Sequence, residues 1–236
     1  MSEFKRYAIY YAPRDGELSA FAASWLGWDA GRGQSVAHPK LAVPMPISEI
    51  TASPRKYGFH GTIKPPFVLS EKYSAADLHA ALDILTTEFA PISLPGLELT
   101  ALGRFLALTI DGDSKSLTNL AALTVRKLDP FRAPPTEAEL NRRRTKKLTP
   151  RQEELLAEWG YPYVMDHFKF HLTLTGKLPK SMVEETRKAL GAVLTPLLPK
   201  PLIVQDLCLF GEATDGMFHL IERFELSGTG TAPPIA

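Results

Sequence analysis

The spacing of apolar residues changes period several times along the chain, and each change marks an element. "RYAIYYA" (6–12), aromatic and apolar, predicts a first strand, and "ELSAFAASWLGW" (17–28) predicts a helix. Residues 29–54, rich in Gly and Pro, read as a loop. A strand of strict alternation follows near residue 60. "SAADLHAALDILTTEFA" (74–90) predicts a helix with Ser74 as N-cap. The apolar runs of 92–110 predict strands, and "SLTNLAALTVRKLD" (116–129) a helix stopped before Pro130. Thr136-x-x-Glu139 and Thr149-Pro150-x-Gln152 are capping boxes, and Gly160 closes the second helix. After a second alternating strand near residue 171, Ser181-x-x-Glu184 opens a helix striped by Met182, Thr186, Ala189, Leu190, Val193 and Leu197. Residues 201–226 predict two strands turning near Thr214-Asp215-Gly216, and the tail 227–236 reads as disordered. Residues 1–226 therefore form a single domain of two related halves. Each half is a motif strand followed by a helix and a strand pair, with a helical insertion at about 130–160.

The two alternating strands carry the same words. "YGFHGTIKPPF" (57–67) and "FKFHLTLTG" (168–176) both read Phe-His-x-Thr-apolar, in a chain with six histidines. Side chains alternate along a strand. His60, Thr62 and Lys64 therefore share one face, with Phe59, Gly61 and Ile63 on the other. Likewise His167, Lys169, His171, Thr173 and Thr175 oppose Phe168, Phe170, Leu172 and Leu174. A His/Thr face backed by an apolar face sets chemistry on a rigid sheet. His167 and His171 are four apart, but on a strand that is about 13 Å, too far to share a metal. No cysteine pair or His-plus-carboxylate cluster is visible, so neither metal nor cofactor is expected. No G-x-x-x-x-G-K phosphate loop and no G-x-S-x-G elbow occurs.

Composition narrows the classes. With 236 residues, 44% hydrophobic and 22% charged, the chain is of the soluble globular kind. A formal net charge of +1 excludes a general nucleic-acid or membrane binder, so any anion site is local. One cysteine, Cys208, allows no intrachain disulfide and fits a reducing compartment. The N-terminus lacks a signal-peptide pattern, and no apolar run approaches a membrane span, so the expected location is cytoplasmic.

The paired His-x-Thr motifs resemble the 2H phosphoesterase superfamily. The flanking segments "RKYGFHGTIKPPF", "LDPFRAPPTEAELNRRR", "LTPRQEELLAEWGYPYV" and "FKFHLTLTGKL" resemble its DUF1045 subfamily, whose members carry a phosphonate-metabolism label, from Arg6 to about Leu226. Gly61 stands where the resemblance implies alanine, on the core side and away from the chemistry. The resemblance implies an α+β, bilobal 2H phosphoesterase (LigT-like) fold. Its two antiparallel sheets would be related by pseudo-twofold symmetry, with flanking helices, and each lobe would give one His-x-Thr to a central cleft. It implies that His60 and His171 act as general acid and base, in an order the sequence does not fix, while Thr62 and Thr173 hold the non-bridging oxygens.

Around them, Lys64 and Lys169 share the chemical faces and are candidates for binding phosphate. Arg55 and Tyr57 reach the cleft only if the chain bends before the motif. The basic run "RRRTKK" (142–147) suits a helix C-terminus or, through Arg142 and Arg143, a flap over an anionic substrate. Tyr161 and Tyr163 are candidates to stack on a base or sugar, or to pack in the rim; His38, His79 and His219 read as structural or surface residues. The expected activity is a metal-independent phosphoesterase acting on a small cyclic phosphate or phosphodiester. The ligand is a small phosphorylated, nucleotide- or phospho-sugar-like molecule, with no membrane and no obligate protein partner. An RNA-end 2′,3′-cyclic phosphodiesterase or 2′-5′ ligase acting on short RNA is the alternative, and a non-catalytic phosphate-binding module the second.

Overall fold

Every pairing in the main sheet is antiparallel, and the two motif strands lie side by side in its middle. The computed structural model describes residues 4–145 and 147–235. Lys146 of the basic run and residue 236 of the tail lie outside them. The first strand, β1 (Arg6–Tyr11), leads into α1 (Glu17–Leu26), which ends on Gly27 in the left-handed conformation. The expected loop at 29–54 holds short elements: the hairpin β2 (Trp28–Asp29) and β3 (Gln34–Ser35), then α2 (Ile47–Ile50) and α3 (Ala52–Arg55). Two-residue strands and single-turn helices leave no periodic signal, so the sequence shows only their Gly and Pro.

Then come β4 (Gly61–Phe67), α4 (Ala75–Thr87), β5 (Ile92–Leu94), β6 (Leu97–Leu102), β7 (Phe105–Ile110) and α5 (Lys115–Leu128). The insertion is α6 (Glu137–Arg144) and α7 (Pro150–Trp159). Its capping boxes at Thr136 and Thr149 form, as does that of Ser74 on α4. Ser181 does not cap: it lies in a 3-10 turn, Lys180–Met182, that runs into α8 (Val183–Leu194). The chain closes with β8 (His171–Thr173) before that helix and β9 (Leu202–Val204), β10 (Asp206–Glu212) and β11 (Phe218–Glu225) after it.

The repeat read from the sequence holds: β4-α4-β5-β6-β7 matches β8-α8-β9-β10-β11. The two halves exchange their hairpins. β6–β7 pairs onto β8, whereas β10–β11 pairs onto β1 and so reaches β4, giving the order β11-β10-β1-β4-β8-β7-β6. The two expected sheets are thus joined into one, through the pair Gly61↔Leu172 between β4 and β8, and β5 pairs β9 separately. One face of this sheet is the core. Tyr7, Ile9 and Tyr11 of β1, Ile63, Leu106, Leu108, Leu172, Leu207 and Leu209 pack there with α1, α4, α5 and α8. The opposite face carries Ala8, Tyr10, Cys208 and Phe210.

Residues 227–230 bond back to the end of α4 and the turn after it. Carbonyls at the C-terminal end of α4 lack partners within the helix. The amide of Ser227 bonds to the Thr86 carbonyl (3.2 Å), that of Gly228 to Phe89 (2.9 Å) and that of Gly230 to Glu88 (3.1 Å). No helix among the described residues is long and apolar enough to cross a membrane.

Candidate active site

Register alone assembles the two motifs. An antiparallel pair at Gly61 and Leu172 puts those two residues on the core face. The flanking positions then fall on the other face, His60 on the Thr173 side and Thr62 on the His171 side. Each histidine is therefore beside the threonine of the other motif. The histidines are diagonal neighbours, with Cβ atoms about 7–8 Å apart. Thr109 of β7 pairs with His171 from the far side, and Tyr10 of β1 pairs with Thr62.

His60 is held on three sides. Its Nδ1 lies 3.0 Å from the Gly58 carbonyl, which can only accept, so Nδ1 carries the proton and Nε2 keeps its lone pair. The Thr62 hydroxyl sits 3.3 Å from that Nε2. The Tyr10 ring stacks on the imidazole at 3.8 Å between centroids, 25° from parallel. Burial in this stack, with His171 adding in the same direction against the Gly58 hydrogen bond, pushes the His60 pKa down to about 4. His171 is oriented in the same way, its Nδ1 2.8 Å from the Lys169 carbonyl, with the Phe105 ring 6.0 Å away. In both rings Nδ1 is taken by a backbone carbonyl, which leaves Nε2 as the nitrogen available to another partner. His60 is thus kept neutral, a proton acceptor. Its low pKa predicts that kcat/KM falls only as pH drops through about 4, where the imidazole is protonated and cannot accept. Tyr10→Leu, which opens the stack, should move that limb toward the ordinary value near 6.5. A rate profile from pH 3.5 to 9 on both proteins checks this; an unmoved limb means the stack does not set it.

The other candidates divide. Tyr57 lies beside His60. Gly58, with φ 70°, supplies the bend, and the Tyr57 ring lies 5.9 Å from His60 and 5.1 Å from Phe218. Arg55 does not follow it: Nε donates to the Leu26 carbonyl (2.8 Å) and Nη2 to the Ser48 carbonyl (2.7 Å) and the Thr51 hydroxyl (3.0 Å). It clamps the segment between α1 and α3 instead.

Lys64 leaves the chemical face as well. The pairing steps from Tyr10↔Thr62 to Ile9↔Lys64, so Ile63 is an extra residue, a bulge, and Lys64 shares the core face with Ile9. Its ammonium lies 3.4 Å from the Val125 carbonyl and 3.6 Å from Asp129, and burial, opposed by Asp129, brings its pKa down to about 8. Strict alternation fails around the second motif too. Residues 165–167 form a 3-10 turn, so His167 lies off the strand, and Thr175 is buried with its hydroxyl on the Leu106 amide (2.9 Å). The Lys169 side chain is exposed.

The insertion is held to the segment that follows it. The Arg143 guanidinium stacks over Tyr161 at 4.5 Å, while Arg142 is exposed and Arg144 pairs with Glu153. Exposed Tyr163 meets the edge of Tyr161 at 5.7 Å. Burial lifts the Tyr161 phenol above its ordinary pKa, and Tyr57 lies near enough to add to the shift. Tyr10, invisible as a candidate in the sequence, is the main addition; the alternation in "RYAIYY" puts it on a face but cannot say which strand lies beside it. His38, His79 and His219 are engaged elsewhere, on α1 carbonyls, Glu222 and Trp28. A cavity of about 590 Å³ opens past Ala12 and Phe59, but neither motif histidine lines it. Among the described residues no group of three or more His, Cys, Asp or Glu is placed to hold a metal ion.

Residues 62–219 match the family described as "Protein of unknown function (DUF1045)". The chain is 38% identical over 237 residues to a protein named ribose 1,5-bisphosphate phosphokinase PhnN from Janthinobacterium sp. (strain Marseille), covering 95% of this chain and 51% of that one. A protein of the same name from Laribacter hongkongensis (strain HLHK9) is 34% identical over 212 residues, covering 89% of this chain and 49% of that one. The chain thus spans about half the length of the curated relatives it matches. Solved structures with some likeness include TT0787 of Thermus thermophilus (15% identity, 95% of this chain and 100% of that one, TM-score 0.48). Another is E. coli LigT complexed with 3′-AMP (13% identity, 95% and 99%, TM-score 0.43).

Proposed function

The chain belongs to the DUF1045 family, and on that premise we propose that it is a phosphoesterase that opens a small cyclic phosphate or phosphodiester with two histidines working on opposite sides of phosphorus. The observation that supports this reading is the Gly61↔Leu172 pair, a joint flanked by two His-x-Thr motifs more than a hundred residues apart, each histidine with its Nδ1 on a backbone carbonyl. Water attacks phosphorus and passes its proton to Nε2 of His60, the ring held neutral. The opposite P–O bond breaks, its electron pair goes to the ester oxygen, and that oxygen takes a proton from Nε2 of protonated His171. Thr62 and Thr173 donate to the non-bridging oxygens as charge builds on them. The products are a phosphomonoester and a hydroxyl, on one molecule when the substrate is cyclic.

The relatives' printed name favours a phosphorylated ribose as the substrate class. This chain has no G-x-x-x-x-G-K segment. The kinase in that name is therefore assigned to the half of those proteins that this chain does not match. Opening a cyclic phosphate on ribose 5-phosphate would deliver a ribose bisphosphate, the class of compound in the name. The test is a pool of phosphorylated sugars and cyclic nucleotides followed by phosphorus NMR. A cyclic ester should be converted to a monoester at the same rate with and without EDTA. Loss of activity in EDTA, restored by zinc or manganese, would put the chemistry on a metal, and an untouched pool would remove the phosphoesterase reading.

A further inference from the structure

Little in the sheet itself fixes one motif against the other. Among the described residues a single ladder pair, Gly61↔Leu172, joins β4 to β8. A second tie starts two residues beyond Thr62, where the bulge at Ile63 turns Lys64 to the core face. Lys64 is only 2% exposed, and a charge buried that deeply needs partners. Its Nζ donates to the Val125 carbonyl (3.4 Å) near the C-terminal end of α5. The amide of Asp129, which an unbroken helix would send to that carbonyl, bonds to Arg126 instead. The Asp129 carboxylate lies 3.6 Å from the same ammonium. Arg132 donates to both of its oxygens, from Nε at 2.8 Å and from Nη2 at 3.1 Å, and Nη2 also donates to the Glu158 carbonyl (3.2 Å) at the end of α7. One carboxylate thus joins the first motif strand to the ends of two helices.

Those helices hold the approach to the second motif. Ala122 and Val125 of α5 and Leu155 of α7 form one buried cluster with Val164 and Met165. Met165 is the one described residue other than glycine with a positive φ, 52°, a conformation that its surroundings must hold. Val125 belongs to both arrangements: its side chain packs in the Met165 cluster, and its carbonyl receives Lys64. We propose that Lys64 is a positioning residue for the reaction, its ammonium locking the strand of the first His-x-Thr motif to the helix pair that carries the approach to the second. The proposal rests on the phosphoesterase reading and adds no group that touches the substrate. It also gives a reason for the buried charge. Replacing a buried ion pair by apolar side chains is often neutral for stability. An ammonium supplies what an apolar chain of similar length does not, donors fixed on one carbonyl and one carboxylate.

The test compares Lys64→Met with the wild type on whichever cyclic ester of the phosphorus NMR pool the wild type converts fastest. Asp129 keeps both bonds from Arg132 in this variant, so no carboxylate is stranded and Tm should stay near the wild-type value. At pH 7 kcat should fall about 10²-fold, the cost of a misplacement of about 1 Å, with KM little changed. The loss should also depend on pH. The charged groups facing the ammonium are Asp129 and Arg132, and burial, opposed by Asp129, brings its pKa down to about 8. Above that pH the neutral amine no longer draws Asp129, so the ratio of wild-type to variant rate should shrink as pH rises through 8. Titration of the histidines is common to both proteins and cancels in the ratio. Wild-type kcat in the variant, a ratio that stays flat with pH, or a loss of rate that merely follows a loss of Tm overturns the proposal. A pool left untouched by the wild type overturns the phosphoesterase reading and the proposal with it, a result distinct from an active enzyme indifferent to Lys64.

Discussion

His60→Ala and His171→Ala are each expected to lower kcat by about 10²–10⁴, the usual loss for one general acid or base. The double variant should lose less than the product of the two, because both rings act on one transition state. Affinity for a product phosphate should change little in either single variant, since Thr62 and Thr173 remain. The two variants should also differ in kind. His60→Ala should abolish the acid limb of the pH profile, the one set by a ring whose pKa is pushed down to about 4. His171→Ala should keep that limb, because the ring that sets it is untouched. Steady-state kinetics on the three variants decides. Near wild-type kcat in either single variant would make its histidine structural, and a limb lost in His171→Ala instead would reverse the roles of base and acid.

Gly61→Ala is expected to damage both stability and turnover, although Gly61 faces away from the chemistry. A Cβ at this position would lie 2.3 Å from the ring of Phe170, which is buried in the core immediately before His171. Overpacking of this kind costs about 1–3 kcal/mol. For a chain of this size that is a drop in Tm of roughly 2–4 °C per kcal/mol. The strain falls on the one described pair that joins β4 to β8. Displacing one motif by about 1 Å against the other can cost about 10²-fold in rate. Phe170→Leu in the same chain should return most of both losses by vacating the ring's volume. A Gly61→Ala protein with wild-type Tm and kcat would show that the joint tolerates the methyl, and that the register does not depend on the close approach of Phe170.

Much of the arrangement of the candidate site is legible in the sequence. His60, Thr62, His171 and Thr173 are marked by period-two alternation within seven or eight residues, which the backbone enforces locally. The helices α4, α6 and α7 announce themselves through Ser74, Thr136 and Thr149, whose caps bond three residues away. The repeat of motif strand, helix and strand pair was readable for the same reason. Lys64 and Arg55 were not. Alternation put Lys64 on the cleft, and only the pairing with β1 reveals the bulge that turns it into the core. Arg55 has no local signal of its task, because its acceptors at Leu26 and Ser48 lie 29 and 7 residues away along the chain. The bonds of residues 227–230 were not legible either, because the carbonyls they satisfy belong to residues 86–89.

The sequence by itself determined where most strands and helices lie, which ends of helices are capped, and that the chain carries the same His-x-Thr motif twice. It did so because those properties depend on bond geometry and on contacts a few residues long. Which strand lies beside which was decided only by the tertiary structure. The exchange of hairpins between halves, the joint at Gly61 and Leu172 and the Tyr10 ring on His60 all depend on chain segments tens to two hundred residues apart. Their positions follow from burying one continuous apolar face, a property of the whole sheet and of no single stretch of it.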